Sequence, residues 1–134
     1  MKNIIANRAE YKSPLQTNHI YYPITVIPGE NTFTILNDGT AAAPCRLSFI
    51  PINDIVSCRI TGLSEEELII NNIRTGSKVV LDGINKTITI NELEAFSQFD
   101  GWEFPKLQPG ENKVFITNAD SMTLIECEFQ PRYI

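Results

Sequence analysis

The sequence predicts an all-β fold, an antiparallel β-sandwich or jelly roll. Apolar residues alternate with polar residues in five short segments. Because successive side chains of a strand point to opposite faces, each segment is expected to be a strand with one buried and one solvated side. Small turn-forming residues separate these segments, and no long stretch has helical periodicity.

The five alternating segments are spread along the chain at residues 32–35, 45–49, 56–60, 87–90 and 125–129. Turns are expected where Gly, Asn, Asp and Ser cluster, at residues 37–39, 61–62, 75–77 and 82–83. Short strands separated by turns at this spacing are typical of β-sandwiches and jelly rolls.

One segment begins like a helix. Ser64 is followed by three glutamates, as in a capping box. Residues 69–73 follow at once with strand composition and no helical period, which favours a solvated turn or strand edge over a helix. Residues 1–20 are polar and lack sustained periodicity, so we expect an arm or linker there and the β-sandwich domain at residues 21–134.

Composition and charge exclude several classes of partner. The net charge of −5 argues against nucleic acid and against a membrane surface, since both call for clustered lysine and arginine. No apolar stretch is long enough to span a bilayer, and the first residues lack the apolar region of a secretory signal. The chain has an odd number of cysteines, Cys45, Cys58 and Cys127, and they lack the spacing of a disulfide framework. This favours reduced cysteines that pack in the interior, in a protein that is made and folded in a cytoplasm.

The letters PGEN occur twice, beginning at Pro28 and at Pro109. The likeness continues into the following residues: Phe33 and Cys45 correspond to Val114 and Cys127. Proline followed by glycine at the centre of a turn favours a type II turn. The two copies are therefore interpreted as hairpin-like elements in similar positions of the sandwich, because a phosphate-binding loop would need more glycines and a lysine before a helix.

The chain offers little for catalysis or metal binding. The single histidine, His19, lies in the expected arm and has no nucleophile motif beside it. Cysteines and histidine are too dispersed for a zinc site. Asp82 and Asn85 flank Gly83 without a calcium-loop pattern, so a turn is the simpler interpretation. We predict no catalytic residue, no metal site and no cofactor.

Trp102 is the residue that we single out as a speculative sugar contact. It lies between Asp100 and Glu103, and an indole ring can stack on a sugar. Paired carboxylates are also what a glycosidase requires. Packing of Trp102 against its own domain is the simpler alternative, and Tyr21 and Tyr22 are the other aromatic candidates for a sugar-binding face.

The C-terminal third carries a family signature. Residues 99–114, FDGWEFPKLQPGENKV, resemble the F-P-x-L-x-P-G-x-N-x-[IV] element of siphophage distal tail proteins, and residues 126–134, ECEFQPRYI, resemble the ending of that family. Residues 37–44, NDGTAAAP, are similar to its N-x-G-x-x-x-x-P loop, and residues 79–85, VVLDGIN, to a strand followed by a turn. The resemblance covers residues from about 22 to 134.

The resemblance implies the C-terminal domain of a distal tail protein, an antiparallel β-sandwich that is galectin-like or carbohydrate-module-like. It implies a structural and interaction role at a phage tail tip, with other tail-tip proteins as partners and no enzymatic activity. A hexameric ring is implied only if a longer parent carries the family's N-terminal ring domain, so the chain is expected to be an excised domain or a shortened tail protein. The alternative is a carbohydrate-binding module that recognises host-surface polysaccharide.

Overall fold

The computed structural model describes the backbone of residues 9–11, 19–24, 29–101 and 103–133, and the side chains of residues 24, 29–101 and 103–133. The larger of its two sheets has eight strands within these residues. They are β1 (Ala9–Tyr11), β2 (His19–Pro23), β4 (Ala43–Pro51), β7 (Val79–Asp82), β8 (Thr87–Ile90), β9 (Leu93–Glu94), β11 (Lys106–Leu107) and β13 (Met122–Phe129). Their order is β1-β2-β13-β4-β7-β8-β9, and β11 pairs with β4.

The smaller sheet has five strands within the described residues, in the order β10-β6-β5-β12-β3. They are β3 (Thr32–Asn37), β5 (Ile55–Thr61), β6 (Leu68–Ile73), β10 (Phe99–Asp100) and β12 (Gly110–Ile116). The strand pairs of both sheets are antiparallel, which confirms the predicted all-β class. Short 3-10 helices at Phe96–Gln98 and Ala119–Ser121 complete the described elements.

One apolar core fills the space between the sheets. The larger sheet contributes Leu47, Phe49 and Phe129, and the smaller sheet contributes Ile35 and Ile60, all fully buried. Each of the five predicted strand segments lies within a strand. Strand β1 lies inside the segment expected to be an arm and pairs with β2, which crosses the predicted boundary at residue 20; the division of the chain there stays a prediction.

The glutamate run does not form a helix, as the following strand-like residues indicated. Residues 62–66 form bends that lead into β6. One detail of the predicted alternation is wrong: Val56 is 81% exposed, and Ile55 beside it faces the core. Asn72 of the partner strand has a positive φ of 57°, which interrupts the regular pleat opposite Val56.

Both PGEN glycines have the positive φ that the second central position of a type II turn requires, 84° at Gly29 and 92° at Gly110. Pro28 lies outside the described residues. The asparagines differ in role. The Asn112 amide donates to the backbone oxygens of Gln108 and Gly110 at 2.9 and 3.2 Å and thereby closes its own turn, whereas Asn31 accepts a hydrogen bond from the backbone N–H of Asp120 at 3.1 Å.

The repeated units are not hairpins, contrary to the sequence-based interpretation. The two strands of the first unit, β3 and β4, lie in opposite sheets, and so do β12 and β13 of the second unit. Each unit is therefore an arch that crosses the core. The sequence pattern could not show this, because alternation reveals which face of a strand is buried and not which strand lies beside it.

The two arches pair with each other around an approximate two-fold axis. The equivalent residues Phe33 and Val114 are directly opposite in the smaller sheet. When Cys45 is aligned with Cys127, Arg46 becomes equivalent to Glu128, and these two residues are opposite in the larger sheet. Because opposed residues of an antiparallel pair are related by a local two-fold axis, the repeat organises the centre of the larger sheet and one edge of the smaller sheet.

Candidate binding site

Four loops meet at one end of the sandwich, and backbone hydrogen bonds hold them together. The Arg132 carbonyl accepts from the N–H groups of Thr40 and Ala41 at 2.8 and 3.1 Å, which joins the chain end to the loop before β4. The Asn37 amide, which is fully buried, donates to the Leu107 carbonyl at 3.1 Å. These bonds satisfy loop backbone groups that would otherwise be buried without partners.

The turn between β7 and β8 packs against the same end. The Gly83 N–H donates to the Cys45 carbonyl at 2.8 Å, and the Cys45 N–H donates to the Pro105 carbonyl at 3.1 Å. A methyl group at Gly83 would overlap the Pro105 carbonyl oxygen. Only glycine therefore allows the turn to approach the segment before β11 so closely.

Asp82 sets the shape of this turn. Its carboxylate accepts from the N–H groups of Ile84 and Asn85 at 2.9 and 3.1 Å, and from the Arg46 guanidinium at 3.0 Å. Burial alone would raise the pKa of the Asp82 carboxyl, but the bonds from Asn85 and Arg46 outweigh burial and lower the pKa. The expectation that Asp82 and Asn85 form a turn is confirmed.

The loops enclose a cleft of about 580 Å³, which we call the basic cleft. Pro44, Ile84, Phe104 and Pro105 form its apolar walls. Ile84 is 39% exposed, so that part of the wall is open to a ligand. A concave site with apolar walls and a few charged groups is the usual form of a binding site.

Cationic side chains are concentrated around the cleft. Of the eight lysines and arginines with described side chains, three line it: Lys86, Lys106 and Arg132. None of these three forms an ion pair within the described part of the chain, whereas Arg46 and Arg59 are paired. In a chain of net charge −5, this cleft is therefore a local concentration of positive charge.

Glu103 is the acidic residue among the lining side chains. Its Oε1 atom is buried and has no hydrogen-bond partner in the part of the chain that the structure describes. A buried carboxylate oxygen without a donor is unfavourable, and a donor group on a bound molecule would relieve it. The cleft thus presents three cations and one acceptor beside apolar walls.

The sequence-predicted sugar site is only partly visible. Trp102 lies outside the described residues, and the side chains of Tyr21, Tyr22 and His19 are not described either. Asp100 is exposed on β10 and does not line the cleft that contains Glu103, so the structure does not bring these carboxylates together around one cleft. The sugar contact through Trp102 stays a prediction.

The three cysteines are free thiols buried in the core, as their alternation predicted. Burial raises the pKa of the Cys58 thiol to about 12, although a side-chain hydrogen bond with Thr117 partly opposes this rise. A hydrogen bond with Cys127, together with burial, raises the pKa of Cys45 well above its usual value. Such thiols are poor ligands and poor nucleophiles at neutral pH.

The described residues contain no group of three or more His, Cys, Asp and Glu side chains arranged to hold a metal ion. Their helices are also too short and too polar to cross a membrane.

A family model described as "Siphovirus-type tail component, C-terminal domain" matches residues 38–133, well over half of the chain. The chain belongs to this family. It is therefore a structural component of a phage tail, and the resemblance found in the sequence motifs is confirmed. A search of curated proteins finds no match.

The fold of this tail-component domain is shared with a known phage protein. SPP1 Dit, described in its crystal structure as "a Paradigm of Hub Adsorption Apparatus in Gram-positive Infecting Phages", superposes with a TM-score of 0.65 at 8% sequence identity. The match covers 84% of this chain and 46% of that chain, so the tail-component domain corresponds to under half of SPP1 Dit. At this identity the likeness shows the fold alone.

The basic cleft was not predicted from the sequence, although the sequence contains a signal for it. Ala42, Gly83, Phe104 and Arg132 each come from a different one of the four motifs that carry the family resemblance, and all of them line the cleft. The motifs of this tail-component domain therefore describe one end of the sandwich. Only the fold shows that they meet there.

Proposed function

We propose that the domain is a structural and interaction module at a phage tail tip, where it helps to attach host-recognition components. The observation that carries the proposal is the family match over residues 38–133. The four-loop end of the sandwich supports it, because backbone hydrogen bonds such as that from Thr40 to Arg132 hold these loops as a firm surface for contacts. Its partners are other tail-tip proteins, and its place is the virion tail after synthesis in the host cytoplasm.

The test is whether the chain joins tails. Full-length chain with an epitope tag is produced in infected or induced host cells, and tails are purified by sedimentation and examined by immunogold electron microscopy. We expect the chain to sediment with tails and the label to lie at the tail tip. A chain that stays in the soluble fraction, or that labels elsewhere on the particle, overturns the proposal.

The proposed role is not enzymatic. Incubation of the chain with host cell walls is expected to release no soluble sugar above the level of a heat-denatured sample. Release that disappears in Asp100→Asn or Glu103→Gln would favour a glycosidase instead, since these are the carboxylates that such chemistry would use. A ring-shaped hexamer is proposed only for a longer parent with a ring-forming domain.

A further inference from the structure

The basic cleft combines positive charges with an apolar wall, which suits a ligand that has an apolar group next to a negative charge. Lys86, Lys106 and Arg132 carry charges without ion-pair partners in the described part of the chain. Ile84 and Phe104 provide an apolar wall next to them. Because the whole chain is acidic, an acidic partner is repelled from most of the surface and attracted here, which gives docking a single orientation.

We propose that the basic cleft binds an acidic peptide segment of a neighbouring tail protein. Acidic side chains of the segment lie against the three cations, and an aliphatic side chain lies against Ile84. A backbone N–H of the segment donates to Oε1 of Glu103, which has no hydrogen-bond partner among the described residues. The inference rests on the proposed function, because it supplies the contact by which the module holds its partner.

A peptide fits the cleft better than an acidic glycan does. Sugar rings are bound against open aromatic faces, and Phe104 is the aromatic residue among the described residues of the cleft wall. Its ring is already packed against other rings, with centroids 5.3 Å from Phe99 and 6.4 Å from Phe96. The exposed wall is instead the aliphatic side chain of Ile84, which suits an aliphatic residue of a peptide.

The probe is a synthetic peptide in which one leucine is flanked by glutamates. It is titrated into the isotopically labelled full chain, and binding is followed by NMR. We expect saturable shifts of the Ile84, Lys86, Lys106 and Arg132 amides that weaken as salt is added. The same peptide with lysine in place of glutamate should not bind. Polygalacturonate is titrated in the same way to test whether the cleft binds an acidic glycan instead.

Matched variants distinguish binding by the cleft cations from attraction by the total charge of the chain. Lys86→Gln, Lys106→Gln and Arg132→Gln together are expected to weaken peptide binding about tenfold. Arg74→Gln, Lys78→Gln and Lys113→Gln together remove the same charge from exposed positions outside the cleft and should change the affinity by no more than about twofold. Ile84→Ser should abolish the preference for the leucine peptide over its serine version.

Each contrary result is decisive. Absence of saturable binding, equal loss in the two triple variants, or binding of polygalacturonate in the cleft without binding of the peptide overturns the inference. If the chain still sediments with tails in any of these cases, only the acidic-peptide inference fails. If the chain does not join tails, the proposed function fails whatever the peptide does.

Discussion

A single carboxylate, that of Asp82, joins the central strands to the cleft. It receives hydrogen bonds from the turn at Ile84 and Asn85 and forms an ion pair with Arg46. Arg46 in turn pairs with Glu128 at 2.8 Å, on the approximate two-fold axis of the repeat. Lys86 is the last residue of this turn, so the position of a cleft cation depends on Asp82.

Asp82 is expected to make the domain sensitive to acid. Its pKa is lowered in the folded state, so its contribution to stability is complete above the unfolded value of 3.8 and is lost as the pH falls below it, through the folded pKa. Asp82→Asn should lower the free energy of unfolding at pH 7 by about 1–3 kcal/mol and flatten its dependence on pH below about 4. Chemical denaturation across pH measures both effects.

The control for Asp82 is Asp100→Asn, which changes an exposed carboxylate on β10. It should leave the free energy of unfolding within about 0.5 kcal/mol of the parent chain at pH 7. An Asp82→Asn variant whose stability follows that of Asp100→Asn at every pH would contradict the role assigned to the Asp82 network.

At the scale of elements, the sequence predicted strands well and their partners poorly. Alternation located β8 at residues 87–90 without error, because a half-buried strand must alternate. The PGEN repeat corresponds to two equivalent arches. Hairpins were expected instead, because the sequence of a strand does not show which strand pairs with it. Pairing of Phe33 with Val114 across distant segments is decided by packing of the whole core.

The candidate site was less predictable than the fold. Glu103 was noticed for a sugar-cleaving pair with Asp100, yet the structure places it beside Lys106 and Arg132 in the basic cleft. Lys86 and Arg132 were not predicted as site residues, because single basic residues in separate loops form no sequence pattern. A site assembled from four loops becomes visible only when the loops are brought together.

Close approach of the turn at Gly83 to the segment before β11 gives an element-scale prediction. Gly83→Ala places a methyl group against the Pro105 and Cys45 carbonyl oxygens and should lower the free energy of unfolding by about 2–3 kcal/mol. Gly76→Ala has open space around the added methyl group and should cost about 1 kcal/mol, from its φ of 77° alone. Urea titrations compare the two variants, and an equal loss would contradict the additional steric cost assigned to a methyl group at Gly83.

At the scale of the whole molecule, the cysteines lie in both sheets and are buried in the same core. Cys45 and Cys127 lie on β4 and β13 of the larger sheet, and Cys58 lies on β5 of the smaller sheet. The pKa of Cys58 is raised from 9.0 to about 12, so the stability gained by keeping this thiol neutral is complete below pH 9.0 and is lost as the pH rises towards the folded value.

The thiols should therefore report whether the sandwich unfolds as one unit. Near pH 8 in native buffer we expect all three to resist a thiol reagent, because they are buried and the raised pKa values of Cys45 and Cys58 keep these two thiols protonated. With increasing denaturant they should become reactive together, at the concentration where circular dichroism is lost, as a two-state domain requires. Peptide mapping by mass spectrometry assigns each labelled cysteine, and Ser97→Cys, at an exposed position, provides a thiol that reacts at every concentration. Labelling of Cys58 at a lower denaturant concentration than Cys45 and Cys127 would mean that the smaller sheet opens before the larger one.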